Sequence, residues 1–445
     1  LSATLAAPAA PSFSPTRFTK AARISEADAM RIYLEMPIHE LGRAAFARTM
    51  EMHPEPYRTY VIDRNINYSN VCTAKCIFCN FKADPGDDDA YTLTFQQIGQ
   101  KIEELIDIGG TQVLMQGGLV PKEDDPSGDG LPFQWYIDLL TFIRTNYPEI
   151  HLHAFSPPEI WAMSNIYGMS IRDVLCRLRD AGLATVPGGG AEILVDRIRT
   201  KIARGKTLAH EWLEVMRQAH LLGMSTSCTM MFGHIETIEE RIEHMRLLRT
   251  LQDETGGFAA FILWPFQPDN TPLGRMKRRP VSRDRAAENG AANGEMDSSA
   301  AWHPNMRIGD APLRSRPDYM PDGVHLQLAD ASEYLRMLAL SRLYFDNIQN
   351  IQSSWVTMGP KVGQLALFFG ANDMGSVMME ENVVSAAGTT YRLDEAMIRR
   401  LITDAGWTPQ QRDQYYRPID RPKRRRPLPL AGGAEHRAEG GCYGK

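Results

Sequence analysis

Cys72-Thr73-Ala74-Lys75-Cys76-Ile77-Phe78-Cys79 sets three cysteines in a C-x3-C-x2-C spacing, with an aromatic residue directly before the last. Three thiolates on one short loop can ligate three irons of a 4Fe–4S cluster and leave the fourth iron without a protein ligand. Such an open iron can bind a small molecule and pass it an electron. Other uses of the spacing fit less well. Structural zinc, the alternative, takes four N or S ligands, usually from two C-x2-C knuckles. The remaining cysteines, Cys176, Cys228 and Cys442, stand singly along the chain. A bacterial ferredoxin run would read C-x2-C-x2-C-x3-C. Six cysteines in 445 residues do not suggest a disulfide framework. Cys176 and Cys228 lie in apolar surroundings and read as small buried hydrophobes.

Outward from this loop, residues 59–270 alternate short apolar runs with amphipathic segments. Strands are predicted at 60–67, 112–116, 151–155, 184–187, 225–232 and 259–265. Helices are predicted at 95–108, 171–180, 211–222 and 239–252, where apolar positions recur every three or four residues. Six βα repeats in succession imply a parallel sheet, and closing it gives a TIM-like β/α barrel of six to eight βα units. Chemistry in such barrels sits on loops after the strands, and the cysteine loop follows the first strand. Residues 332–346 read as a further helix, 351–357 as a seventh strand, and 361–369 and 394–405 as helices.

Residues 1–53 read as a flexible leader, rich in Ala, Pro and Ser, with a helical lead-in. The leader lacks the charged start and sustained apolar core of a secretory signal. Residues 54–274 form the barrel core and 325–417 complete it. The polar stretch 275–324 reads as a flexible insertion, and 418–445 as a disordered tail whose basic run is solvated. Hydrophobic residues make up 43% of the chain, charged residues 23%, and the net charge is −5, so no nucleic-acid partner is implied. No apolar run reaches the ~18 residues that would suggest a membrane span. Sparse cysteines and oxygen-sensitive chemistry point to a reducing cytoplasm.

The cysteine loop sits in DRNINYSNVCTAKCIFCNF (63–81). After it come GGTQVLMQGGL (109–119), HLHAFSPPEI (151–160), PGGGAEIL (187–194), TMMFGHIET (229–237), WPFQPDNT (264–271), SWVTMG (354–359) and GANDMGSVMMEEN (370–382). Over residues 54–416, apart from the insertion, this set resembles the radical S-adenosylmethionine (SAM) enzymes of the futalosine route to menaquinone, above all the dehypoxanthine futalosine cyclases. The resemblance implies a radical SAM barrel, a 4Fe–4S cluster on Cys72, Cys76 and Cys79, and SAM on the open iron. It implies further a reducing partner such as flavodoxin or ferredoxin. The implied reaction converts dehypoxanthine futalosine to its cyclic form, a 5′-deoxyadenosyl radical first removing hydrogen from the sugar C4′. Two departures stand out. About 50 residues intervene after WPFQP, and Lys82 and Ala83, followed by an acidic stretch at 84–89, replace the aromatic and arginine that relatives carry. Aminofutalosine synthase and deazaflavin synthase subunits share the cysteine loop and the GAND-like segment, but the PPEI, PGGGAEIL and TMMFGHIET set favours the cyclase. A non-catalytic iron–sulfur or zinc protein would need neither paired glycines nor a polar barrel mouth.

Each motif also has a physical reading. Gly117 and Gly118 let backbone approach a ligand, and in relatives this pair meets the amino group of SAM; a plain turn is the simpler reading. Gly188 and Gly189 end the fourth strand in the same manner, and Glu192 is expected to accept the SAM ribose hydroxyls, a surface carboxylate being the simpler reading. His151 and His153 alternate along the third strand and so face one side, with His153 nearer the reacting centre. His234 and Glu236 follow the fifth strand. With His153 and Glu192 they are the candidate proton acceptors, although Glu236 is equally placed to cap the next helix. Arg64 is expected to pair with the benzoate carboxylate of the substrate. Gln267, Asn270, Trp355 (in the seventh strand), Asn372 and Asp373 are expected in the substrate pocket.

Overall fold

A computed structural model describes residues 23–275 and 326–419. Strands Asp63–Ile66, Gln112–Met115 and His151–Ala154 pair in parallel, side by side. So do Thr226–Phe232, Phe258–Pro265, Asn350–Gln352, Asp373–Ser376 and Tyr57–Val61, in that order. Two joints close the ring. Tyr57–Val61 and Asp63–Ile66 are the two halves of one stave, interrupted only at Ile62, the first half pairing with Asp373–Ser376 and the second with Gln112–Met115. The gap between His151–Ala154 and Thr226–Phe232 is spanned by single parallel bridges, His153 to Thr185 and Val186 to Thr226. The barrel therefore has eight parallel staves, the upper end of the predicted range. Residues 184–187 take the place of the fourth stave without becoming a full strand.

The helices follow from local signals. Phe95–Asp107 opens on a capping box in which Thr94 and Gln97 bond each other's backbone N–H, and Ile238–Thr255 opens on another, Thr237 with Glu240. The second helix ends at Gly256, at φ +66°. Pro157–Tyr167 was not predicted, yet Ser156, Pro157 and Glu159 supply an N-cap, an N1 proline and a box partner. Helices Glu26–Glu35 and Ile38–Met52 pack on Ala331–Tyr344. The predicted strand 351–357 is shorter: after Asn350–Gln352 the chain turns into the helix Trp355–Met358. The segments 1–22, nearly all of the expected insertion at 275–324 and nearly all of the expected tail at 418–445 lie outside the described residues. Among the described residues no helix is long and apolar enough to cross a membrane.

The strand Thr408–Gln411 pairs in parallel with the outer edge of Tyr57–Val61. It delivers Arg412, Gln414 and Tyr416 to the barrel interior. Arg412 closes on Asp373 through Nε at 2.6 Å and Nη2 at 3.0 Å, a buried two-pronged pair.

One buried histidine far from the barrel mouth makes stability depend on pH. His220 bonds Thr255 at 2.6 Å and Thr226 at 2.8 Å. Burial, with Arg217 nearby, lowers its pKa from 6.5 to about 4. Between those values the unfolded chain binds a proton that the fold refuses, so stability falls as pH drops through that window and levels off below it. Melting temperatures from pH 7 to 4.5 should fall more steeply for the wild type than for His220→Asn. Equal slopes would dismiss His220 as a contributor.

Candidate active site at the barrel mouth

The cysteine loop leaves the strand Asp63–Ile66 and is clamped from two sides. On one side, Gly118 N–H donates to Ser69 O (3.1 Å) and Thr73 N–H to Leu119 O (3.0 Å), while Leu119 N–H reaches Cys72 Sγ at 3.2 Å. On the other, Lys75–Cys76 forms a short antiparallel ladder with Ala203–Arg204, continued by Ile77 N–H to Ile202 O at 2.9 Å. Gly118 makes the first clamp possible, because a Cβ there would lie 1.9 Å from Val71 O and 2.7 Å from Cys72 Cβ. Cys72 and Cys76 are buried, Cys79 is half-buried, and all three are free.

The second clamp brings up a cation that sequence reasoning did not foresee. Lys206 Nζ lies 3.1 Å from Glu192 Oε1 and 5.3 Å from the centre of the Phe78 ring. Burial opposes its charge, but Cys76, Glu192 and Cys79 outweigh it and hold the ammonium above the ordinary lysine value. Burial pushes the Cys76 thiol up to about 12, with Lys206 pulling the other way. Among the described residues no three His, Cys, Asp or Glu side chains converge on a point that would hold a single metal ion. Thiolates arrayed round a multi-iron cluster need not converge on one point. Three free thiols on one loop, a backbone N–H on Cys72 Sγ and a half-buried cation nearby suit an anionic iron–sulfur cluster.

A cavity of about 260 Å³ occupies the barrel interior. Gly188, Gly189 and Glu192 line it, and a Cβ on Gly189 would fall 2.2 Å from Gln116 Nε2. Glu192 holds a left-handed backbone at φ +39°, uncommon outside glycine. Its Oε2 is buried, 3.8 Å from Arg199 Nη1, and has no hydrogen-bond partner, which leaves it an acceptor for a ligand hydroxyl. Arg199 is spent on backbone, donating to Ala191 O at 2.5 Å, Gly190 O at 3.0 Å and Thr207 O at 2.7 Å. Gly117 does not line the cavity. Its N–H donates at 3.0 Å to Glu159, which also accepts from the Tyr68 hydroxyl at 2.8 Å and caps its own helix through Ser156. Glu159 therefore ties the glycine pair to the cysteine loop, and its PPEI setting was the visible signal.

His153 lines the cavity, as does Trp355 from its short helix, with Nε1 donating to Ser376 O at 3.0 Å. Several other expected residues lie elsewhere. Arg64 points outward, to Glu380 at 2.9 Å and Glu104 at 2.5 Å. Strand alternation sends Asp63 and Asn65 inward in its place. His234 and Glu236 are buried in a network of their own. Glu236 accepts from the N–H groups of Gly233 and His234 and from Arg241 Nε at 2.8 Å, and lies 2.9 Å from His234 Nδ1. Burial would raise the Glu236 carboxyl, but His234 and Arg241 hold it well below the usual carboxylate range. Both residues shape the turn after the fifth predicted strand and do not line the cavity. Gln267 turns back to Pro265 O at 3.0 Å, and Asn270 reaches Ala386 O at 3.4 Å. Trp264, earlier in that segment, faces the cavity. Asn372 is held by Arg342 at 2.8 Å, and Asp373 by Arg412 and by Thr59 at 2.6 Å. Both serve the barrel wall, and Ser376, three residues on, supplies the polar surface.

The closed barrel and the three-cysteine loop define a radical SAM enzyme. Residues 66–248 match the model of the Radical SAM superfamily, and residues 322–425 that of the CofH/MqnC C-terminal region. Cyclic dehypoxanthine futalosine synthase of Halalkalibacterium halodurans is 40% identical over 88% of this chain and 91% of its own, and the chain belongs to the family that this synthase and its relatives form. A relative from Methanopyrus kandleri, 36% identical over 86% of this chain and 89% of its own, carries another name, 5-amino-6-(D-ribitylamino)uracil–L-tyrosine 4-hydroxyphenyl transferase. The crystal structure of methylornithine synthase shares the fold, with a TM-score of 0.59 over 89% of this chain and 96% of that one at 17% identity. Membership brings a 4Fe–4S cluster and SAM as cofactors.

Proposed function

We propose that this enzyme closes dehypoxanthine futalosine into cyclic dehypoxanthine futalosine, a step of menaquinone biosynthesis. The observation that carries the reading is the 40% identity to a synthase of that name across about nine-tenths of both chains. When bound, the cluster and SAM supply a 5′-deoxyadenosyl radical for one electron, here from an external donor of the flavodoxin or ferredoxin kind. The chain's own residues do the rest. Cys72, Cys76 and Cys79 hold the cluster on a loop fixed by two clamps. Glu192, steadied by Lys206, accepts hydroxyl hydrogens of the SAM ribose with its unpartnered oxygen, while Gly188 and Gly189 leave the backbone bare beside it. Trp264 and Trp355 offer aromatic faces to a substrate that carries a benzoate ring, and the enclosed barrel keeps water from a carbon radical. Across the reaction the substrate would lose two hydrogens, one as an atom and one as a proton with its electron. His153, neutral in the cavity wall, is placed to receive that proton.

Anaerobic turnover of iron-reconstituted protein with SAM, dithionite and dehypoxanthine futalosine tests this by mass spectrometry. A product two hydrogens lighter than the substrate, formed with 5′-deoxyadenosine, is expected. The second reading, a 4-hydroxyphenyl transferase, is favoured by the 36% relative. It would show as SAM cleavage that leaves dehypoxanthine futalosine unchanged but couples tyrosine to 5-amino-6-(D-ribitylamino)uracil.

A further inference from the structure

Ring nitrogens of two histidines meet one hydroxyl in the barrel wall. His153 Nδ1 and His151 Nε2 each lie 2.7 Å from Thr185 Oγ1. On the cavity side, the Gln414 amide nitrogen lies 3.2 Å from His153 Nε2. An amide nitrogen only donates, so His153 Nε2 carries the lone pair and Nδ1 the hydrogen. His153 therefore donates to Thr185, which leaves the Thr185 hydrogen for His151 Nε2. The three groups form a directed chain. His153 lines the cavity, Thr185 is buried, and His151 is half-buried at the start of the same strand, edge-on to Tyr415 at 5.4 Å.

We propose that His153, Thr185 and His151 form a proton relay from the cavity, through the barrel wall, to solvent at the end opposite the cysteine loop. Resting on the cyclase reading, the proton is the one lost after ring closure, and its electron passes to a one-electron acceptor of the iron–sulfur class. The breaking substrate C–H bond gives its proton to His153 Nε2. The Nδ1 hydrogen passes to Thr185 Oγ1, the hydroxyl hydrogen passes to His151 Nε2, and the resulting imidazolium sheds its other hydrogen to water. The Gln414 bond, at 3.2 Å, is the longest of the chain and the one an incoming hydrogen replaces. The arrangement answers a physical difficulty. Burial, together with His151 and Arg412, holds the His153 pKa well below its ordinary value, so a charge lodged there is costly. The relay never lodges one there: charge first arises on the half-buried His151, whose own pKa burial lowers to about 4 with Arg417 adding to that and Asp413 opposing it, and which can pass the proton on to solvent.

The test uses full-length, cluster-loaded protein bearing Thr185→Val, Thr185→Ser or His151→Gln. Valine keeps the shape and removes the hydroxyl; glutamine keeps an acceptor for Thr185 but cannot pass a proton on. Both should lower kcat for the cyclised product about tenfold or more, with KM unchanged and 5′-deoxyadenosine still released, and serine should restore most of the loss. Unchanged product rates and an unchanged solvent deuterium isotope effect in both would overturn the relay. If the wild type cleaves SAM but leaves dehypoxanthine futalosine unchanged, the cyclase reading fails separately. The relay is then judged by nitrogen NMR of histidine-labelled protein. Hydrogens on Nδ1 of both rings support it, and an Nε2 hydrogen on His151 refutes it.

Discussion

Cys76→Ala should fold, yet form no 5′-deoxyadenosine from SAM under reducing conditions. Cys76 meets Ala203 through backbone in the short ladder, so the clamp survives loss of the sulfur. What disappears is one of three thiolate ligands, and with two left the cluster cannot be held with a single open iron. Iron per chain and 5′-deoxyadenosine are the readouts, and both should fall to background. Cys228→Ala is the control. Cys228 is fully buried, its thiol reaches Ala260 O at 3.4 Å, and burial keeps it protonated. That change should cost stability on the order of 1 kcal/mol and leave iron content and SAM cleavage intact. Turnover retained in Cys76→Ala would sink the cluster assignment.

Much of the barrel was legible because its staves are short apolar runs between amphipathic helices, a pattern set by burial on both faces. The eighth stave, Asp373–Ser376, was not read as a strand, since DMGS has neither β-branched residues nor alternation; it pairs because its neighbours leave one gap in the ring. Trp355 was placed one element too early, because aromatic and β-branched residues at 355–357 mimic a strand where the chain has already turned into a helix. At the site, the structure keeps together what is local in sequence: three cysteines on one loop, the glycines beside Glu192 on the cavity wall, and His153 on the inward side of the third predicted strand. Arg64 shows the limit of such reading. Its strand was correctly found, but one residue of parity separates an inward Asp63 and Asn65 from an outward Arg64. Lys206 shows another limit. It lies 130 positions beyond Cys76, and only the antiparallel ladder between two loops brings it to the cysteine loop, over the Phe78 ring. His234 and Glu236 carried a plausible chemical motif, but the N–H groups of the turn and Arg241 had already claimed the carboxylate.

Gly118→Ala should sharply reduce cluster loading even though no ligand is changed. Gly118 does not hold a left-handed backbone, so alanine suits its φ and the whole penalty is steric. The new methyl would lie 1.9 Å from Val71 O and 2.6 Å from Val71 C. Those are backbone atoms of the residue before Cys72 and cannot swing aside as a flexible side chain would. Relief requires the 117–119 segment and the cysteine loop to part, which breaks the Thr73–Leu119 and Gly118–Ser69 bonds and removes the Leu119 N–H from Cys72 Sγ. A displacement of about 1 Å at a reacting centre can cost about 100-fold, so SAM cleavage should drop at least about tenfold and iron per chain should fall with it. Gly223→Ala separates this from general damage. Gly223 sits at φ +76° with no atom within 4 Å of where a methyl would stand, so alanine there costs about 1–2 kcal/mol of backbone strain and spares the loop. Its melting temperature should fall while iron content and 5′-deoxyadenosine stay at wild-type levels. If Gly118→Ala kept full iron and full cleavage, the loop would have to be held from the Ala203–Arg204 side alone, and the first clamp would be packing without a role in loading the cluster.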